Sequence, residues 1–170
     1  FLALASLAIV AVYPFAKRVT DWPQVVLGLA FNWGALVAWA AHTGGIGLPA
    51  VLLYVGGIAW TVGYDTIYAH QDKEDDVLIG VKSTALRFGS ETPTYLSVFF
   101  GIAVLCAALA GAFAGLGFGF WLGLIAYVGH FVWQLLKLDI DDGDVCLRLF
   151  RANRDAGLIL LAAIILGALF

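Results

Sequence analysis

The chain has 170 residues, of which 62% are hydrophobic and only 12% charged, with a mean hydropathy of +0.95 and a formal net charge of −3. Soluble domains carry roughly 25% charged residues, so the composition excludes an ordinary soluble domain and places the chain in a bilayer. The dispersed Lys and Arg exclude nucleic acid as a partner, and Cys106 and Cys146, with no CxxC spacing between them, argue against a disulfide or zinc site.

Apolar stretches of about 17 to 25 residues can cross a roughly 30 Å hydrocarbon core as helices. Six are predicted in chain order, at 1–16, 23–42, 48–70, 94–112, 118–136 and 156–170. Their apolarity is continuous rather than alternating, which excludes strands. Pro14 is expected to kink the end of the first span. The second carries Asn32, a polar group in hydrocarbon that faces a cavity or hydrogen-bonds to a neighbouring helix. The third runs into the acidic stretch YDTIYAHQDKEDD at 64–76, where His70 reads as interfacial. Between the fourth and fifth, GAFAGLGFGFWLG at 111–123 reads as a tight turn with close helix packing, and His130 in the fifth as a packed or interhelical histidine. Before the sixth, LDIDDGD at 138–144 reads as a solvated loop, with another metal site as the alternative. The chain opens at Phe1 inside an apolar run and holds no Met, so it is expected to be the C-terminal part of a single helical domain that has lost its N-terminal part.

All 9 Lys and Arg residues fall after the first, third and fifth spans: Lys17 and Arg18; Lys73, Lys82 and Arg87; Lys137, Arg148, Arg151 and Arg154. The connections around His42–Gly47 and Phe113–Gly117 hold none. The positive-inside rule puts the charged connections on the cytoplasmic side, or the matrix side of a mitochondrial protein. The 12 Asp and Glu residues share that side, which the rule does not require.

If the third span continued as a helix past the membrane edge, at about 100° per residue, Asp65, Tyr68, Asp72 and Asp76 would share one stripe and Asp75 would lie roughly 80° off it. Asp72 and Asp76, one turn apart, repel on a bare helix, and a cation turns that repulsion into ligation. Carboxylates without Cys or paired His suit Mg²⁺, which is typically held by one or two carboxylates together with substrate phosphates. Asp65 lies near the interface, where an ionisable group is costly and a functional candidate. Lys82, Ser83 and Thr84 follow with donors suited to phosphate oxygens.

The stretch GYDTIYAHQDKEDDVLIGVKSTALRFG closely resembles the second aspartate-rich motif of the UbiA superfamily of intramembrane prenyltransferases, particularly its 4-hydroxybenzoate polyprenyltransferase branch. YPFAKRVTDWPQVVLGLAFNWG at 13–34 and LDIDDGDVCLRLFRANRDAGLIL at 138–160 extend the resemblance across the chain. It implies an all-α, polytopic transmembrane helical bundle with a central cavity, in which two Asp-rich motifs hold a polyprenyl diphosphate through Mg²⁺. It places DxxxD at Asp72 and Asp76 as metal ligands, with Asp65 and Tyr68 in the same catalytic motif, and Arg18 and Lys82 by position as diphosphate contacts. Asn32 is the further substrate-facing candidate. The first, NDxxD-type motif is absent, and six spans stand where the resemblance implies nine. A chain of this extent is therefore expected to be inactive alone.

The implied reaction moves a polyprenyl group to the ring carbon beside the hydroxyl of 4-hydroxybenzoate, in ubiquinone biosynthesis, within a bacterial inner membrane or, alternatively, a mitochondrial one. The spans would face membrane lipid and the prenyl tail, and Trp33, Trp60 or Tyr64 could shelter an allylic cation. Three other readings compete. A cation-coupled transporter would want its acids at the bilayer midplane, a CDP-alcohol phosphatidyltransferase would need a DGxxAR-containing pattern, and a prenyltransferase could act on another aromatic acceptor.

Overall fold

The computed structural model describes residues 1–170 except Lys17; that basic residue, counted above after the first span, lies outside the described residues. The described chain is helical with no strand. Its helices are α1 (Leu2–Val19), α2 (Pro23–Phe31), α3 (Trp33–Thr43), α4 (Leu48–Ala69), α5 (Lys73–Ile79), α6 (Thr84–Phe88), α7 (Thr92–Phe113), α8 (Phe118–Lys137) and α9 (Gly143–Leu169). Pro opens α2 and stands in the first turns of α4 and α7, where the N–H it lacks has no intrahelical partner anyway. Gly44 and Gly80 close α3 and α5 in the left-handed conformation, at φ 79° and 69°.

Among the described residues, five spans are long and apolar enough to cross a membrane: Pro23–Thr43, Leu48–Ala69, Thr84–Phe113, Phe118–Lys137 and Gly143–Leu169; Leu2–Ala16 is a shorter apolar helix. The protein is an all-α, integral membrane helical bundle. Side chains such as Leu7, Ile125, Leu136 and Leu158 stay exposed on its outside, as expected where the surrounding solvent is lipid.

Three expectations change. The predicted second span is two helices, broken at Asn32, whose side-chain amide turns back to the carbonyl of Gly28 at 2.9 Å. α1 extends to Val19, three residues beyond the predicted end of the first span, with Pro14 inside it. The last helix begins at Gly143 rather than near 156, because Asp142 accepts hydrogen bonds from the backbone N–H groups of Asp144 and Val145 at 2.9 and 3.0 Å and caps it. Arg148, Arg151 and Arg154 therefore stand on a helix, not in a loop.

The core joins α7, α8 and α9, with α4 laid against α7 and α9. Phe100 stacks on Phe131 at 4.2 Å, and Leu96, Phe120, Tyr127, Cys146, Ala156 and Ala163 are buried around them. Close approach of α8 to α9 depends on missing side chains: a Cβ on Gly119 would sit 2.6 Å from the carbonyl oxygen of Leu166. This is the close packing expected of the Gly-rich stretch.

Ion pairs bring the charged connections together. Lys73 pairs with Asp141 at 2.7 Å, linking the segment after α4 to the one after α8, and Asp21 pairs with Lys82 at 3.4 Å and Arg87 at 3.6 Å, linking the segment after α1 to the one after α5. At the opposite end the N–H of Gly117 donates to the carbonyl of Gly167 at 2.7 Å. The arrangement matches the sidedness expected from the Lys and Arg distribution.

Candidate functional site

The acidic stretch does not form one continuous helix. α4 closes with tightened turns in which His70 N–H donates to Ile67 and Gln71 N–H to Tyr68, and the chain starts again at Asp72 as α5. Asp65 and Tyr68 belong to α4, so the four-residue stripe is divided between two helices. The pair within it survives: Asp76 N–H donates to the Asp72 carbonyl at 2.9 Å, so the two residues stand one turn apart on α5. Asp76 is buried at 6% exposure, Asp72 and Asp65 are half-buried, and Asp75 is exposed. Glu74, Asp75 and Asp76 occupy the first turn of α5, where the helix dipole favours negative charge.

Two anchors set the start of α5. The Thr92 hydroxyl donates to the Gly89 carbonyl at 2.7 Å, so His70 Nε2, 2.8 Å from that hydroxyl oxygen, must carry the proton and donate to it. His70 Nδ1 is then a bare, buried acceptor, and burial, with the nearby Lys73 charge, pushes the ring pKa down to about 4. His70, one residue past the span that ends at Ala69, is thus buried among protein side chains and neutral at pH 7. Lys73 forms the second anchor: its ammonium donates to Asp141 and to the Ile140 carbonyl, at 2.7 and 3.3 Å, and holds the Asp141 carboxyl below the usual carboxylate range.

The LDIDDGD segment divides its acids among structural tasks. Asp139 accepts from the Asp141 N–H, Asp141 pairs with Lys73, and Asp142 caps α9. Among the described residues, no three His, Cys, Asp or Glu side chains come together in a group that could hold a metal. Asp72 and Asp76 therefore offer at most a two-carboxylate site, the number Mg²⁺ takes when water and substrate phosphate supply its other ligands. Ser83 and Thr84, expected to face phosphate, are buried and engaged internally. The Ser83 hydroxyl accepts from Leu86 N–H, while Thr84 donates its N–H to Gln24 and shares a hydroxyl contact with Thr66. Lys82 is tied to Asp21, and Arg18 lies exposed near the end of α1.

Below this edge lies a cavity of about 950 Å³ whose walls include Phe31, Trp60, Tyr64, Phe150, Arg148 and Arg151. Asn32 and Thr61 also line it, and the Asn32 amide donates to the Thr61 hydroxyl at 2.9 Å, so this residue both faces the cavity and bonds between helices. Phe150 of α9 meets Tyr64 and Tyr68 of α4 at 5.8 and 4.7 Å, which packs this part of α4 against the Phe150 wall of the cavity. Trp60 is fixed by Asn153, which lines the same cavity. Its indole N–H donates to Asn153 Oδ1 at 2.8 Å, and Asn153 exchanges hydrogen bonds with buried Gln134 at 3.0 and 3.2 Å. A second cavity, of about 250 Å³, adjoins the first through Asn32 and Trp60 and is lined mostly by Ala, Gly, Leu and Ile. His130 bonds to the Ala152 carbonyl at 3.0 Å, the interhelical role expected of it.

The sequence reading missed Arg148, Arg151, Asn153 and Gln134. The available signal was RLFRANR, with Arg at intervals of three around an Asn, a helical spacing that a predicted loop concealed.

Comparison with known proteins agrees with the resemblance. The family described as UbiA prenyltransferase family matches residues 1–169. The chain is 47% identical over 169 residues to a protein of Drosophila pseudoobscura pseudoobscura, covering 99% of this chain and 43% of that relative. It is 47% identical over 170 residues to one of Arabidopsis thaliana, covering 99% and 42%, and 48% identical over 169 residues to one of Rattus norvegicus, covering 98% and 45%. Each is named mitochondrial 4-hydroxybenzoate polyprenyltransferase. The chain spans less than half the length of these relatives. No solved structure matches it.

Proposed function

Because the chain belongs to the UbiA prenyltransferase family, we propose that it forms part of an intramembrane enzyme that moves a polyprenyl group from polyprenyl diphosphate to the ring carbon beside the hydroxyl of 4-hydroxybenzoate, in ubiquinone biosynthesis. The observation that carries this reading is the Asp72–Asp76 pair, one turn apart at the start of α5, in a chain that also holds an aromatic cavity. The relatives' names support the mitochondrial alternative over a bacterial inner membrane.

Asp72 and Asp76 would hold Mg²⁺, which supplies positive charge to the departing diphosphate. Their low exposure strengthens that interaction by excluding water. As the C–O bond breaks, its electron pair leaves with the diphosphate and the prenyl carbon becomes an allylic cation. Trp60 and Tyr64 present ring faces and edges to the cavity in which that cation would lie. A new C–C bond forms to the electron-rich ring carbon, which then loses its proton and regains aromaticity. The second, apolar cavity is suited to the prenyl tail. Asp65 and Tyr68, on the last turns of α4, orient the donor, with Arg18 and, on release from Asp21, Lys82 as its outer diphosphate contacts.

The test is substitution in the intact protein. Asp72→Asn and Asp76→Asn should each abolish most transfer while leaving the fold intact, and exposed Asp75→Asn should be milder. Near-normal prenylation by both of the first two variants refutes the assignment.

A further inference from the structure

If the donor's diphosphate is taken at α5, an acceptor bearing its own carboxylate needs a cation on a different wall. Among the described Lys and Arg residues, Lys73, Lys82, Arg87 and Arg154 stand in ion pairs, with Asp141, Asp21, Asp21 and Asp155. That leaves Arg18, Lys137, Arg148 and Arg151 outside any described ion pair. Of these four, only Arg148 and Arg151 line the large cavity.

Their geometry suits a carboxylate. They are three residues apart on α9, about 4.5 Å along its axis, so both guanidinium forks can reach one anion. A guanidinium matches a carboxylate through two parallel N–H···O bonds, which an ammonium cannot do. Phe150 lies between them in sequence and, with Trp60 and Tyr64, supplies aromatic surface for a flat ring. α9 is held in register by the Asn153 contacts to Gln134 and Trp60, so the row has a fixed support.

The geometry points to Arg148 and Arg151 as the residues that read the carboxylate of the aromatic acceptor and so set which acceptors are used, an assignment that rests on the prenyl-transfer reading. The donor's diphosphate is the competing anion, and the experiment separates the two.

Binding of 4-hydroxybenzoate and of its uncharged twin, 4-hydroxybenzamide, is measured calorimetrically on the intact protein without donor. Steady-state transfer is then measured while each substrate is varied. The native protein should prefer the carboxylate by about tenfold or more, and Arg148→Gln/Arg151→Gln should erase that preference. The variant's KM for 4-hydroxybenzoate should rise about tenfold or more, with KM for polyprenyl diphosphate within about twofold. The Arg→Lys pair, which keeps charge but loses the fork, should fall between. An unchanged preference, or a rise confined to the donor's KM, overturns the assignment. Should the native protein bind the carboxylate selectively, the double Arg→Gln variant lose that selectivity, and neither transfer anything to it, the functional reading fails while the Arg contact to the carboxylate stands. Should it bind both twins equally, the assignment fails on binding alone.

Discussion

Replacing Asn153 with Leu tests whether the polar cluster at the cavity wall holds α4, α8 and α9 together. The substitution deletes three side-chain hydrogen bonds across helices, one from Trp60 and two shared with Gln134. Interhelical hydrogen bonds in a membrane protein average about 0.6 kcal/mol each, which gives about 2 kcal/mol. Gln134 is only 1% exposed, so its amide is left without partners, and an orphaned buried group adds about 1 kcal/mol or more. The Trp60 N–H opens toward the cavity, where water can replace its lost partner. The expected loss is about 3 kcal/mol. Adding Gln134→Leu removes the orphan, so the double variant should recover about 1 kcal/mol rather than fall further. The assay is reversible unfolding in mixed micelles of mild detergent and dodecyl sulfate, followed by far-ultraviolet circular dichroism. A loss below about 0.5 kcal/mol in the single variant, or additive losses in the double, refutes the reasoning.

Stability should also depend on His70. Its pKa is about 4 in the fold against 6.5 as a free side chain, so only the unfolded chain takes up a proton between those values. Its contribution is complete above about pH 6.5 and is lost as pH falls toward 4, and His70→Asn should flatten that part of a pH–stability curve. Asp141, held low by Lys73, acts only below its ordinary value of 3.8, so its effect separates from that of His70. Gly119→Ala puts a Cβ 2.6 Å from the Leu166 carbonyl and should cost about 1–3 kcal/mol in the same micelle assay. Gly129→Ala meets nothing within 4 Å and should instead stabilise α8 by up to about 1 kcal/mol. Cysteines placed at Glu74 and Asp142 should label from one side of the membrane and those at Gly45 and Gly115 from the other; mixed sidedness within either pair would contradict the topology.

Much of this protein was legible without coordinates. Continuous apolar runs can satisfy their backbone polar groups in lipid only as helices, so composition settled the class and the Lys and Arg distribution settled which ends meet. Asp72 and Asp76 were legible for a similar reason: a spacing of four places two residues one turn apart in any helix that contains both, wherever that helix begins. The longer stripe from Asp65 failed because it required the helix to continue through His70 and Gln71. A buried bond from His70 to Thr92, 22 residues away, and an ion pair from Lys73 to Asp141, 68 residues away, fix a turn there instead. The arginine row was hidden for a related reason: hydropathy marks where a helix enters lipid, not where it starts, and α9 starts 13 residues earlier, at the Asp142 cap. Lys82, Ser83 and Thr84 had the chemistry for phosphate, but Asp21, Gln24 and Thr66, from distant segments, engage Lys82 and Thr84 first, and Ser83 caps α6. Local periodicity determines which residues share a helix face. Only the packing of distant segments decides which of those faces line a cavity and which side chains remain available to a substrate.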